Sequence, residues 1–263
     1  HLSPMHAKIL AHDYDLEQIT IAQILRHSAG FFDHTHAPEF FDKVFSVPVY
    51  EWTRTAQIQL GVEKGDRIGP PGKQFSYSDM GYVILGELIE IYTGKSLDGG
   101  IKELLGLEKL GLVRTDFERM DSQTDQQRIH QYFQGKDTYD FSPTMDYYGG
   151  GGILSNTADL IDFFQALFQG KIFDNQATLA LMLQPGTYPV KPKLDYGMGM
   201  FKLQVNNMDA YCHSGFWGTQ VLYIPKLDIY MAANYSGGWG GGAVAPIFEK
   251  VLTKMGDTNQ SNR

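Results

Sequence analysis

Pro71-Gly72-Lys73-Gln74-Phe75-Ser76-Tyr77-Ser78-Asp79-Met80-Gly81-Tyr82-Val83-Ile84-Leu85-Gly86 runs from a turn into a helix, and the reading of the whole chain depends on it. Pro70-Pro71-Gly72 is turn chemistry. Beyond it Met80, Val83, Ile84, Leu88 and Ile91 recur at helical spacing and Gly94 follows as a stop, so the pattern predicts a helix over Asp79 to Tyr92. Tyr77, Ser78 and Asp79 stand at its entrance.

Outward from this segment the elements change character. On the N-terminal side, Ile21 to Ala29 reads as a helix with Thr20 as N-cap, Gln23 closing a capping box and Gly30 ending it. Phe31 to Gln74 is mixed text, with a short helical run around Val49 to Leu60. On the C-terminal side, Thr157 to Gln169 is a helix capped by Asn156, with Leu160, Phe163, Phe164, Leu167 and Phe168 as its apolar stripe. After Pro185 the period becomes alternating. Met200 to Val205, Asp209 to His213, Gln220 to Ile224 and Ile229 to Asn234 read as an antiparallel meander, and Ala245 to Met255 as an amphipathic helix covering one face of it. The expected division is a mostly helical region over 1–184 and a sheet with its C-terminal helix over 185–263, both in one domain.

Composition narrows the function classes. With 263 residues, 43% of them hydrophobic, the chain can bury a full core. A net charge of −8 with no basic run argues against nucleic acid and against anionic membrane surfaces. No stretch approaches the roughly 18 apolar residues of a membrane helix, so membrane insertion is not expected. Cys212 is the single cysteine, which excludes an internal disulfide. A start at His1, without methionine or leader, reads as an internal point of a longer chain or the start of a processed one.

Several separated motifs, in order, resemble those of penicillin-binding-protein-like serine hydrolases, the superfamily of serine β-lactamases, D-peptidases and related esterases. Ile19-Thr20-Ile21 through Arg26-His27-Ser28-Ala29-Gly30 is similar to that family's "I-T-I … L-L-x-H-T-S-G", and Pro71 to Gly86 to its "P-G-x-x-F-x-Y-S-N-x-G-Y-x-x-L-G". Gly151-Gly152-Ile153-Leu154-Ser155-Asn156-Thr157-Ala158-Asp159-Leu160, Tyr196-Gly197-Met198-Gly199 and His213-Ser214-Gly215 complete the series. The resemblance implies a β-lactamase/transpeptidase-like α/β fold of the α+β type, an antiparallel sheet flanked by helices plus a mostly helical region. It implies acyl-enzyme chemistry on a small-molecule or peptide substrate, without cofactor or metal. Tyr77 would shuttle a proton, its phenol drawn toward ionisation by a nearby cation. His213 with Ser214, Gly215 and Phe216 would form the substrate strand, the Phe216 amide serving as one oxyanion donor. Relatives are often extracytoplasmic.

Three departures shape the expectation. No serine in the chain is followed three residues later by lysine, so the Ser-x-x-Lys nucleophile segment, with early strands that complete the sheet, is expected before His1, as a truncated or cleaved part of the same chain or as a separate N-terminal fragment acting as partner, unless this relative has lost it; this chain alone is expected to be inactive. An exposed sheet edge should mark where those strands pack. Asp79 replaces the usual asparagine, and an ionised carboxylate can only accept hydrogen bonds. His213 replaces lysine and, mostly neutral at pH 7, is a poor anchor for a substrate carboxylate, which points to esters, amides or N-terminal D-residues. A non-catalytic binding or regulatory module is the rival reading. The commoner fates of the other chemistry-bearing residues are structural: His27 and Ser28 as parts of a capped helix, Asp33-His34-Thr35-His36 as a solvated loop and not a zinc site, and Cys212 as a core thiol on the strand face opposite His213.

Overall fold

The structure, a computed structural model, describes residues 2–47, 49–118, 128–238 and 241–261. Its helices are α1 (Pro4–Leu10), α2 (Ile21–Leu25), α3 (Pro38–Ser46), α4 (Arg54–Lys64), α5 (Asp79–Thr93), α6 (Leu97–Leu105), α7 (Thr157–Phe168), α8 (Gln176–Leu183) and α9 (Gly241–Ser261). Four two-residue strands, β1 (Asp116–Phe117), β2 (Tyr132–Phe133), β3 (Lys136–Asp137) and β4 (Ile153–Leu154), form two small antiparallel pairs, β1 with β4 and β2 with β3. The main sheet takes β5 (Asp195–Tyr196), β6 (Phe201–Val205), β7 (Met208–Ser214), β8 (Thr219–Ile224) and β9 (Ile229–Asn234) in that spatial order, each antiparallel to its neighbour.

The meander follows from alternation. Ala210, Cys212, Leu222 and Ile224 point to one face and pack under Val244, Phe248 and Leu252 of α9. Val221, with Tyr211, Tyr223 and Tyr230, serves the other face against Phe164, Leu167 and Leu179 of α7 and α8. Asn206 and Asn207 turn β6 into β7 with φ of 50° and 60°, the left-handed pair that a tight hairpin requires and asparagine tolerates. α7 and α8, which precede residue 185, thus cover the sheet as closely as α9 does. β9 ends the sheet, with no further strand beyond it among the described residues.

A second core joins α1, α2, α4 and α5 through Leu10, Ile24, Ile58, Met80, Val83 and Ile84. Helix α5 is tied to α1 by a buried pair, His6 Nδ1 to Glu87 Oε1 at 2.8 Å, while His6 Nε2 meets Thr55 Oγ1 of α4 at 2.8 Å. Gly94 closes α5 in the left-handed conformation, as its position predicts.

The structure also departs from the periodicity. Helix α2 keeps the Thr20–Gln23 capping box but ends at Leu25, not at Ala29. The amide of His27 donates to Ile24 O and that of Ser28 to Gln23 O, the paired bonds of a Schellman end, with His27 as the left-handed residue at φ 51°. The run expected over Val49 to Leu60 is α4, displaced toward the C-terminus because Thr53 Oγ1 accepts from the Ala56 amide and sets its start. Helix α9 is longer than Ala245 to Met255. Helices α1, α3, α6 and α8 are seven to nine residues long, too short for a helical period to repeat, and α6 also carries two glycines.

Candidate active site

Tyr77 lies on the loop entering α5 and keeps 38% of its surface exposed, so its ring is gripped on one side and open on another. The grip comes from His27, whose ring stacks on that of Tyr77 with centroids 3.9 Å apart at 28°. The residues on either side of Tyr77 also bond to His27: the Ser76 amide donates to His27 O at 2.8 Å and the Ser78 amide to His27 Nδ1 at 3.1 Å. Tyr196 meets the Tyr77 ring edge-on at 6.2 Å, and the His213 ring lies 6.4 Å away. The tyrosine and the substrate-strand histidine expected from the sequence therefore face one another.

His213 sits one residue from the end of β7, paired with Val221 of β8. Its Nε2 is 3.1 Å from the hydroxyl of Tyr196, a residue only 2% exposed on β5. Burial pushes the imidazole below its ordinary 6.5, so it is neutral at neutral pH and offers no fixed charge to a carboxylate. Cys212 points the opposite way into the α9 core, where burial raises its thiol to about 12. Ser214 and Gly215 are exposed at the strand end, and the Gly215 amide donates to Thr219 O at 2.7 Å. The Gly218 amide then returns to Gly215 O at 3.0 Å, making a tight turn that carries Phe216 and Trp217. The Phe216 ring anchors that turn, 5.9 Å from Phe41 of α3 and 5.0 Å from Phe133 of β2.

The electrostatics differ from those expected. Tyr77 is raised above its ordinary 10.0, by burial first and then by the carboxyl groups of Asp79 and, further down, Asp33. No pull toward ionisation operates on it within this chain, because its charged neighbours are acids and not a cation. Asp79, the first residue of α5, is itself raised well above the carboxylate range by burial, by Asp33 and by Asp146. Near neutral pH it is therefore carried as the protonated acid, which has an O–H to donate. Within this chain the side chain can therefore donate as well as accept, as an amide does. Asp146 is raised to about 7 by burial and by Glu118, against a hydrogen bond from Trp217.

The glycine run beside the site has a steric cause. A Cβ on Gly149, at φ 139°, would lie 2.1 Å from Tyr82 O of α5, and one on Gly86 of α5 would lie 2.2 Å from Tyr148 O. Only glycine allows this loop and this helix to touch, which brings Asp146 and Gly150 over Asp79.

Comparison with known proteins bears on the family and the fold. The sequence model of the family described as Beta-lactamase matches residues 7–241. The chain belongs to the beta-lactamase family. Among curated relatives of this beta-lactamase-family chain, "Putative D-alanyl-D-alanine carboxypeptidase" from Escherichia coli O157:H7 is 23% identical over 252 residues, covering 82% of this chain and 57% of the relative. "Probable fimbrial assembly protein FimD, serogroup H1" from Dichelobacter nodosus is 31% identical over 151 residues, covering 57% of this chain and 36% of the relative. The chain thus spans about a third to somewhat over half of the length of these two relatives. The D-stereospecific amidohydrolase from Streptomyces sp. superposes with a TM-score of 0.77 at 21% identity, covering 91% of this chain and 75% of that one, and shares the β-lactamase/transpeptidase-like fold.

As candidate site residues the sequence singled out Tyr77, Asp79, His213, Ser214, Gly215 and Phe216, and the structure puts Tyr77 beside Asp79 and opposite His213. It adds Asp33, Asp146 and Tyr196. Asp33 is 5% exposed and its Oδ1 accepts from the Thr35 amide, so it is a buried cap and not part of a solvated loop. Asp146 had no signal, being an isolated acid ahead of a glycine run. Tyr196 did have one, the Tyr-Gly-Met-Gly motif, which gives no hint of its bond to His213.

Proposed function

We propose that this beta-lactamase-family chain is the larger part of a serine hydrolase that works through an acyl-enzyme on an ester, an amide or a D-amino-acid peptide. The nucleophile would come from a Ser-x-x-Lys segment outside this chain, which carries no such motif. The observation that carries the reading is Tyr77, partly exposed and stacked in place 6.4 Å from His213, with the substrate-strand turn directly following. In this scheme Tyr77 moves the proton between nucleophile and leaving group, a role suited to a phenol that stays protonated at rest. Asp79 donates to the acyl group or its neighbour, and the Phe216 amide is one oxyanion donor. Neutral, half-buried His213, already bonded to Tyr196, favours substrates without a carboxylate at that subsite. The names of the relatives, an amidohydrolase and a D-alanyl-D-alanine carboxypeptidase, support the substrate range.

The test is to react the full-length protein with a fluorophosphonate or penicillin and weigh it intact. A stoichiometric adduct is expected. Its absence on a chain proven complete would favour the rival reading, a non-catalytic module using the cleft to hold peptide or glycan. Robust turnover of a chromogenic cephalosporin would overturn the preference for esters and amides.

A further inference from the structure

We propose that His27 is the positioning residue for Tyr77: one imidazole fixes the tyrosine loop on both sides and forms the plate against which the phenol ring is held. The proposal rests on the reading of Tyr77 as the proton-shuttling group. The observations behind it are independent of that reading.

His27 is 4% exposed and takes the left-handed conformation, φ 51°, at the end of α2. A non-glycine residue there is uncommon, and histidine is among the types that tolerate it. That conformation turns both its carbonyl and its ring toward the Tyr77 loop. The carbonyl accepts from the Ser76 amide at 2.8 Å and Nδ1 accepts from the Ser78 amide at 3.1 Å, so the residues before and after Tyr77 are bonded to the same residue. Between those two anchors, the imidazole lies 3.9 Å from the phenol ring of Tyr77 and 4.9 Å from that of Tyr82, nearly parallel to each.

These bonds also determine the chemistry of the ring. Because Nδ1 accepts the Ser78 N–H, the proton of the neutral ring is on Nε2, which is buried without a hydrogen-bond partner. Protonating Nδ1 would break the bond to Ser78, and burial already lowers the group to about 3. His27 is therefore no proton acceptor in turnover. Its work is geometric: loss of the plate would let the phenol rotate away while the fold persists. Misplacement of a reacting group by about 1 Å can cost on the order of 100-fold in rate.

Two variants separate the contributions. His27→Asn retains an acceptor for the Ser78 amide and tolerates the left-handed conformation but removes the plate; His27→Phe retains a ring and removes the acceptor. With tyrosine rings isotopically labelled and the Tyr77 resonance assigned by Tyr77→Phe, NMR of the full-length protein should show Tyr77 moving toward free-tyrosine shifts in His27→Asn and staying closer to wild type in His27→Phe. An unmoved Tyr77 resonance in His27→Asn, or equal displacement in both variants, overturns the proposal whatever the protein catalyses.

In the full-length protein, with p-nitrophenyl acetate and D-alanine p-nitroanilide as substrates, His27→Asn should lower kcat about 10- to 100-fold with KM within about threefold. The same substitution on a Tyr77→Phe background should cost almost nothing more, since it acts through that hydroxyl. Losses that multiply instead overturn the positioning role. If Tyr77→Phe alone leaves kcat unchanged, the failure lies with the catalytic reading of Tyr77, and the NMR result still decides what His27 does.

Discussion

Gly149 is the position where a single hydrogen atom in place of a methyl group admits the site loop to helix α5. Gly149→Ala should lower stability by about 3 kcal/mol or more, read as a fall in Tm, because the new Cβ meets backbone oxygen at 2.1 Å and the φ of 139° is itself strained for an L-residue. Tyr196→Phe removes one hydroxyl and leaves a buried nitrogen of His213 unpaired; a loss of about 1–3 kcal/mol in denaturant unfolding is expected. Tyr196 lies in a motif visible in the sequence, and Gly149 two residues ahead of one. What the motifs omit is the reason for each residue, since a close approach and a hydrogen bond between β5 and β7 exist only after the chain has folded.

Helix α2 shows how an element can be right at one end and wrong at the other. Its start was legible because the Thr20 and Gln23 side chains bond only to neighbours three residues away. Thr20→Ala should therefore cost about 1 kcal/mol and Thr20→Ser very little, measured by chemical denaturation. Its end was not legible. Periodicity continued to Ala29, yet the carbonyls of His27 and Ser28 leave the helix to accept from Ser76 and Gly72, partners supplied by the distant Tyr77 loop. The four long strands, β6 to β9, were read to within a residue or so, because alternation is imposed by two packed faces and each hairpin carries its own turn residues, whereas the two-residue strands β1 to β5 are too short to alternate.

At the scale of the whole molecule, the buried titratable groups set the pH response. Folding raises Asp79, Glu118 and, to about 7, Asp146 above the ordinary carboxylate range, and lowers His34, His213 and, to about 3, His27 from an ordinary 6.5. A raised carboxyl stabilises the fold below its unfolded value and loses that contribution as pH rises through the folded one; a lowered histidine contributes above its unfolded value and loses that contribution as pH falls. Between about 4 and 6.5 the unfolded chain takes up protons at the three histidines that the folded chain does not, and lacks protons at the three carboxyls that the folded chain keeps, so the slopes oppose and nearly cancel. Tm should be nearly flat from about pH 4 to 6.5 and fall on both sides. Asp79→Asn removes one carboxyl term, so its Tm should instead rise with pH across that interval, by about 1.4 kcal/mol of stability per unit at 25 °C, and its alkaline fall should be smaller. A wild-type Tm that climbs steadily from pH 4.5 to 8 would contradict the assignment. The sequence by itself determined the family, the order of elements, the meander and the identity of Tyr77, Asp79 and His213, because motifs, caps and alternation are written in neighbouring residues. Only the tertiary structure decided that Asp79 keeps its proton, that His213 belongs to Tyr196 and that His27 underlies Tyr77, since desolvation, ring stacking and bonds across 50 or so residues arise from packing.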